Sequence, residues 1–223
     1  MKRVMACALV AGVMGLGLTQ QAMANLPGNG AERAEPAWMS QAGVESVLAA
    51  LDAVPIPHGV AADEVWVSVD LAGQQLRVFR GDTVIKQIDH VAFGAGGHAP
   101  LRLQGSSVTP IGEFRVDRIN RASRFRLFFG IDYPNQAVAD DALKAGKISF
   151  ADYQYIIDYR ARHGRAPHTT PLGGLIGLHG VGRGDPEVHR NWNWTEGCVA
   201  VEDHEILALD AWVDIGTRVV IRA

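Results

Sequence analysis

Cys198 and His179 are the two residues whose types and setting suit covalent chemistry. A cysteine that attacks a carbonyl needs a base to raise its thiolate fraction, backbone amides to hold the oxyanion, and a tight turn that lets the carbonyl approach. The segments His179-Gly180-Val181 and Trp194-Thr195-Glu196-Gly197-Cys198-Val199, with His179 placed 19 residues before Cys198, supply all three. His179 ends the apolar run Leu175-Ile176-Gly177-Leu178, so a strand is expected to hold its side chain at a sheet edge. Gly180 lets the chain turn there, and its carbonyl can orient the ring through the second nitrogen. Gly197 leaves the nucleophile sterically open, and the amides of Gly197 and Cys198 can converge on one pocket. The chemistry this predicts is acyl transfer through a thioester.

The neighbours of the pair offer substrate contacts. Glu196, beside the nucleophile, disfavours a thiolate, and is better suited to bind a cationic amine than to activate sulfur. Arg183, in the loop between the two segments, can meet a carboxylate. Trp192 and Trp194 flank Asn193, and at least one is expected to anchor the loop by packing, with Trp194 a candidate substrate contact. His189 reads as an exposed loop histidine. Tyr133, at the end of a strand, is a candidate for the wall of the cleft. Phe125, Phe128 and Phe129 read as core or sheet-face residues. The histidines are scattered without metal-ligand spacing, so no metal is expected.

The chain opens with Lys2 and Arg3, an apolar stretch from Val4 to Leu18, and Ala22-Met23-Ala24, the pattern of a cleaved secretory signal. The apolar part is shorter than the ~20 residues a spanning helix needs, so no membrane span is expected in the mature protein. Residues 1–24 carry two of the 21 basic residues and none of the 24 acidic ones, so their loss takes the net charge from −3 to −5. That balance argues against a nucleic-acid partner. With Cys7 removed, Cys198 is the one cysteine left, an unpaired thiol in a protein expected to be exported.

The elements that must position this chemistry follow from periodicity. Residues 25–62 read as a leader with an amphipathic helix from Trp38 to Val54, stopped by Pro55 and Pro57. From 63 onward the period changes. Val65, Val67 and Val69 alternate with Trp66, Ser68 and Asp70, and turns at Ala72-Gly73 and Gly81-Asp82 lead into strands at 76–79 and 83–88. Further strands are expected at 114–116, 125–131, 175–178 and 218–221, with a helix over 203–212. Residues 136–170 break this rhythm with two helical segments, 137–144 and 150–162. They are expected to form an insertion walling the cleft, with Asp132 and Tyr133 facing the same space as Cys198. The fold class is mainly β, with an N-terminal helix and a helical insertion.

Taken together, the His179-Gly180 pair, the Thr195-x-Gly197-Cys198-Val199 cluster, Gly94 and Thr109-Pro110-Ile111-Gly112-Glu113-Phe114 resemble the YkuD-type L,D-transpeptidases, which remodel bacterial peptidoglycan. The resemblance covers roughly 65–222. It implies a β-sandwich-like catalytic domain over 63–223 and a location in the periplasmic, cell-wall compartment. Peptidoglycan stem peptides are the implied partners, and no cofactor is needed. It also implies that Cys198 takes the acyl group from a stem peptide, that His179 handles the protons, and that Thr195 and Gly197 position the turn and the oxyanion. Two positions depart from the common pattern: Glu196 stands where many members carry histidine, and Ala200 where many carry Arg or Asn. Two further readings remain open, a hydrolase on the same fold that cuts crosslinks or a wall-attached protein, and a wall-binding module without catalysis.

Overall fold

A computed structural model describes residues 54–223. The expected signal sequence and leader helix lie outside the described residues, apart from Val54. Ten strands and four helices follow in chain order. They are β1 (Val65–Asp70), β2 (Gln75–Arg80), β3 (Thr83–Ile88), β4 (His98–Ala99), β5 (Thr109–Pro110), β6 (Gly112–Asn120), β7 (Phe128–Ile131), α1 (Gln136–Lys144), α2 (Phe150–His163), β8 (Gly177–His179), α3 (Pro186–Asn191), β9 (Val199–Ala200), α4 (Asp203–Leu209) and β10 (Arg218–Arg222). Eight of the strands form one mainly antiparallel sheet in the order β3-β2-β1-β10-β6-β7-β8-β9, while β4 and β5 pair separately.

The alternation in β1 predicts one buried and one exposed face, but the structure buries both. Val67 and Val69 enter the main core, and on the other face Trp66 packs with Phe79 and Val220 in a second cluster. Trp66 stacks on Phe79 at 4.3 Å and its indole N–H donates to the Gly81 carbonyl at 2.8 Å, so its polar atom is satisfied inside. Two-sided burial arises because Val54 and Val60 pack against the Trp66 cluster on the face opposite the main core.

The helical insertion packs into the core. Ala139 and Ala142 of α1, Ile148, and Ile156 of α2 are buried in the main cluster. Local chemistry sets the helix ends. Asn135 accepts from the Val138 N–H at the start of α1, Ser149 and Asp152 form a capping box at the start of α2, and Gly164 ends α2 at φ 63°. Asp132 does not face the cleft as expected. Its carboxylate takes the Arg160 guanidinium of α2 at 3.1 Å, which ties the insertion to the end of β7. The Arg183-Gly184-Asp185 tripeptide similarly serves a helix start, since Asp185 caps α3 by accepting from the Glu187 N–H and Pro186 occupies the first helical position.

Candidate active site

β8 and β9 pair in parallel, with Leu178 opposite Val199 and His179 opposite Ala200. Continued one residue back, this register sets Cys198 beside Gly177. Side chains alternate along strands, so Gly177, His179 and Cys198 face one side of the sheet. Cys198 and His179 are diagonal neighbours there, roughly 7–8 Å apart at Cα. His179 ends its strand as expected, but it lies inside the sheet and not at its edge, paired with Phe128 of β7 on one side and Ala200 on the other.

The His179 ring is fixed on all sides. Nδ1 lies 2.6 Å from the Gly180 carbonyl. A carbonyl can only accept, so Nδ1 carries the proton and Nε2 keeps its lone pair. Among the described residues Nε2 makes no hydrogen bond. Phe125 stacks on the imidazole at 4.3 Å, Phe128 lies parallel at 6.4 Å, and Trp194 meets it edge-on at 5.9 Å. Phe125 and Phe128 thus box the imidazole, a placement not evident from their sequence positions. Gly180 has no room for a side chain, because a Cβ would sit 2.5 Å from the Asp203 carboxylate.

Burial pushes the His179 imidazolium down to about 4, against the opposing pull of the Gly180 carbonyl. The ring is therefore neutral in the folded state at pH 7. An unfolded histidine near its ordinary 6.5 binds a proton more readily, so stability rises with pH between about 4 and 6.5 and is lost as the pH falls through that window. The expected loss is on the order of 3 kcal/mol across the window. His189, also lowered by burial, adds to it with the same sign. Urea unfolding midpoints measured at pH steps from 7 to 4 should decline in the parent and decline less in His179→Gln, which keeps a donor for Gly180 without titrating. Parallel curves for the two proteins would refute the assignment of a neutral, buried ring.

The turn carrying Cys198 is equally constrained. The Thr195 hydroxyl donates to the Cys198 carbonyl at 2.6 Å and accepts the Gly197 N–H at 3.1 Å. Thr195 therefore clamps the turn, and the Gly197 amide is engaged by it and not turned toward an incoming oxyanion as expected. Backbone bonds between Thr195 and Phe93, and between Ala95 and Thr195, stitch the turn to the segment after β3. Gly94 there donates to the Thr109 hydroxyl, bringing the Thr109-Pro110 motif beneath the site. Gly197 adopts φ +121°, and a Cβ would lie 2.5 Å from the Val108 carbonyl. Gly197→Ala should cost about 2–4 kcal/mol from backbone strain and overlap, and thermal unfolding that matches the parent would contradict this geometry.

Cys198 is partly exposed. Its Sγ lies 3.5 Å from the Leu175 carbonyl, so the thiol rests as a donor. Leu175 holds φ 56°, a strained value for a non-glycine residue, and its side chain is half exposed at the lip of the site. Burial pushes the thiol up to about 11, with the Glu196 carboxylate adding to the rise, while the Gly177 N–H and the Arg102 guanidinium oppose it. The resting pair is a neutral thiol and a neutral imidazole.

The other candidate residues separate clearly. Tyr133 is not in the cleft. It is 0% exposed, packs against Phe114, and its hydroxyl bonds to the Arg102 backbone; burial pushes its pKa up to about 12, against the opposing pull of that backbone bond and of the Arg102 charge. His189 is not an exposed loop residue either. It is 0% exposed, and its Nδ1 accepts from the Trp194 indole at 3.5 Å. Trp194 is the packing anchor between the two histidines, while Trp192 faces solvent. Glu196 and Arg183 are exposed. Arg102, absent from the sequence-level candidates, is buried beside Gly197. Its partners stand up to 94 residues away in the chain, so no local pattern marks it.

No curated protein matches the chain. Among solved structures, it is similar to the helical cell shape determining protein Pgp2 (K307A mutant) from Campylobacter jejuni, with 16% identity and a TM-score of 0.48 over 73% of this chain and 48% of that one. It is similar to Bd1075 of Bdellovibrio bacteriovorus at 18% identity and a TM-score of 0.47, over 75% and 50% of the two chains. It is also similar to the L,D-transpeptidase of Xylanimonas cellulosilytica at 20% identity and a TM-score of 0.40, over 79% and 69%. The alignments thus span about half the length of Pgp2 and Bd1075. The family model for the YkuD L,D-transpeptidase catalytic domain matches residues 64–221. That match takes in the eight-stranded sheet up to Ile221 of β10 and both segments of the site, and the chain belongs to the YkuD family of L,D-transpeptidase catalytic domains.

Proposed function

We propose that this protein is an exported L,D-transpeptidase that crosslinks peptidoglycan stem peptides. The observation that carries the reading is the His179 ring, locked by Gly180 with Nε2 unbonded, on the same sheet face as the free thiol of Cys198. In the first step Cys198 attacks the carbonyl of the diamino acid at stem position three. The carbon–sulfur bond forms, the amide bond to the terminal D-alanine breaks, and the thiol proton passes through His179 Nε2 to the departing amine. In the second step an amine from a neighbouring stem attacks the thioester. A carbon–nitrogen bond forms, the carbon–sulfur bond breaks, and His179 relays the amine proton back to sulfur.

Thr195 holds the turn through both steps, and the Cys198 amide is the candidate donor to the oxyanion now that Gly197 is engaged. Glu196 and Arg183, both exposed, are the candidate contacts to the acceptor amine and a stem carboxylate. Incubating the protein with purified sacculi, followed by mass analysis of the muropeptides, tests this reading. Crosslinked dimers with released D-alanine are expected. Shortened stems or opened crosslinks without new dimers would make the protein a hydrolase, and unchanged sacculi would leave only a binding module.

A further inference from the structure

Arg102 lies in the loop between β4 and β5 and is only 5% exposed. Burying a guanidinium is costly unless its charge and donors are used. Its donors are used on three sides. Nε donates to the Val108 carbonyl at 3.2 Å, Nη1 to the Leu172 carbonyl at 3.2 Å, and Nη2 to the Glu196 carbonyl at 3.4 Å. Its charge is not matched. Among the described residues no carboxylate forms a salt bridge with it. All three acceptors are neutral, and although burial draws the guanidinium's pKa down from its ordinary value, the group is charged at neutral pH.

The place where this charge is stored is informative. Arg102 Nε would lie 3.3 Å from a Cβ on Gly197, directly under the turn that presents Cys198. The Glu196–Gly197 peptide is held at both ends, its carbonyl by Arg102 and its N–H by Thr195. The charged groups that act on the sulfur are Arg102 from the loop below and Glu196 from the turn itself. His179 is neutral in the resting state, so it supplies no cation before a proton moves. The position two residues beyond the cysteine is Ala200, which is fully buried and brings no charge or polar group to the sulfur.

We propose that Arg102 is a positioning residue for the nucleophile: it locks the Glu196–Gly197 peptide and supplies the buried positive charge against which negative charge develops on Cys198. This rests on the reading of Cys198 as the nucleophile. It assigns to a loop far away in sequence the electrostatic support that the cysteine's own segment lacks, and it offsets the adverse carboxylate of Glu196. Arg102 acts through the turn and does not touch substrate.

The test is the pH dependence of Cys198 alkylation by iodoacetamide in the full chain, with peptide mass mapping to separate Cys198 from Cys7. Arg102→Gln keeps a donor and removes the charge, and should move the inflection for Cys198 up by about one pH unit, a tenfold smaller thiolate fraction at a given pH. Arg102→Lys keeps the charge and should hold the parent's inflection, even if it melts earlier. Equal inflections in all three proteins, or an equal rise in both variants, would overturn the proposal, since either outcome leaves the charge without effect on sulfur. If Arg102→Gln does not fold, Arg102→Met, which also removes the charge, takes its place in the comparison and is held to the same outcomes. Alkylation needs no peptidoglycan, so sacculi left uncrosslinked by a protein with an Arg102-dependent inflection would sink the transpeptidase reading and leave this one standing.

Discussion

Replacing Cys198 with alanine should abolish acyl transfer, a loss of about 10⁴-fold or more, because no other group in the site can carry the acyl chain. The fold should survive. The sulfur gives up one long hydrogen bond to Leu175, and alanine fits the space it leaves. A stability loss under about 1 kcal/mol is expected. Mass mapping after incubation with stem tetrapeptide should find the thioester on Cys198 in the parent and nowhere in the variant. Crosslinking at the parent's rate by Cys198→Ala would remove the mechanism altogether.

Replacing His179 with alanine should slow thioester formation by about 10²–10⁴-fold, the range for a positioned proton-transfer group. The pH profile gives a sharper reading. An ordinary histidine loses its basic form as the pH falls through about 6.5, whereas this ring stays unprotonated to about 4 because burial opposes its charge. Acylation in the parent should therefore hold from neutral pH well below 6 before an acid limb appears. His189→Ala should cost stability, by opening space beside Trp194, far more than it costs rate. An acid limb near 6.5, or equal rate losses at positions 179 and 189, would show that the base has been misassigned.

Elements whose logic is local were legible in the sequence. The hairpin of β1 and β2, both helices of the insertion and the closing strand β10 follow from periodicity and from caps such as Ser149, Asp152 and Gly164. The six residues of α3 were missed because so short a helix has too few turns for a period to show, although Asp185-Pro186 is a helix-start signal. The helix expected over 203–212 ends at Leu209, since Ala211 and Trp212 continue only as turns. At the site, the placement of His179 at a strand end and of Cys198 just after a glycine turn was legible because both are local properties, while their catalytic roles are proposed. Tyr133 was misplaced because an aromatic at a strand end reads the same whether it faces a cleft or the core, and only the Arg102 backbone at its hydroxyl decides between them. The engaged Gly197 amide was equally hidden, since Thr195 can reach it only through a particular turn.

The position of β10 has a consequence for how the molecule comes together in time. It lies between β1 and β6, paired to Trp66–Asp70 on one side and Gly112–Arg115 on the other, so the first three strands join the rest of the sheet only through residues near 220. Closing such long loops carries an entropy cost before any contact rewards it, which places the chain among slow folders, with times on the order of milliseconds to seconds. The Cys198 turn is stitched to the segment that leaves β3, through Gly94 with Thr195 and Ala92 with Ala200. A growing chain that has already made His179 and Cys198 therefore still lacks a finished site. Cys198 should reach its native setting only when β10 has docked, and truncation before Arg218 should give a protein in which Cys198 alkylates like a cysteine in an unfolded peptide.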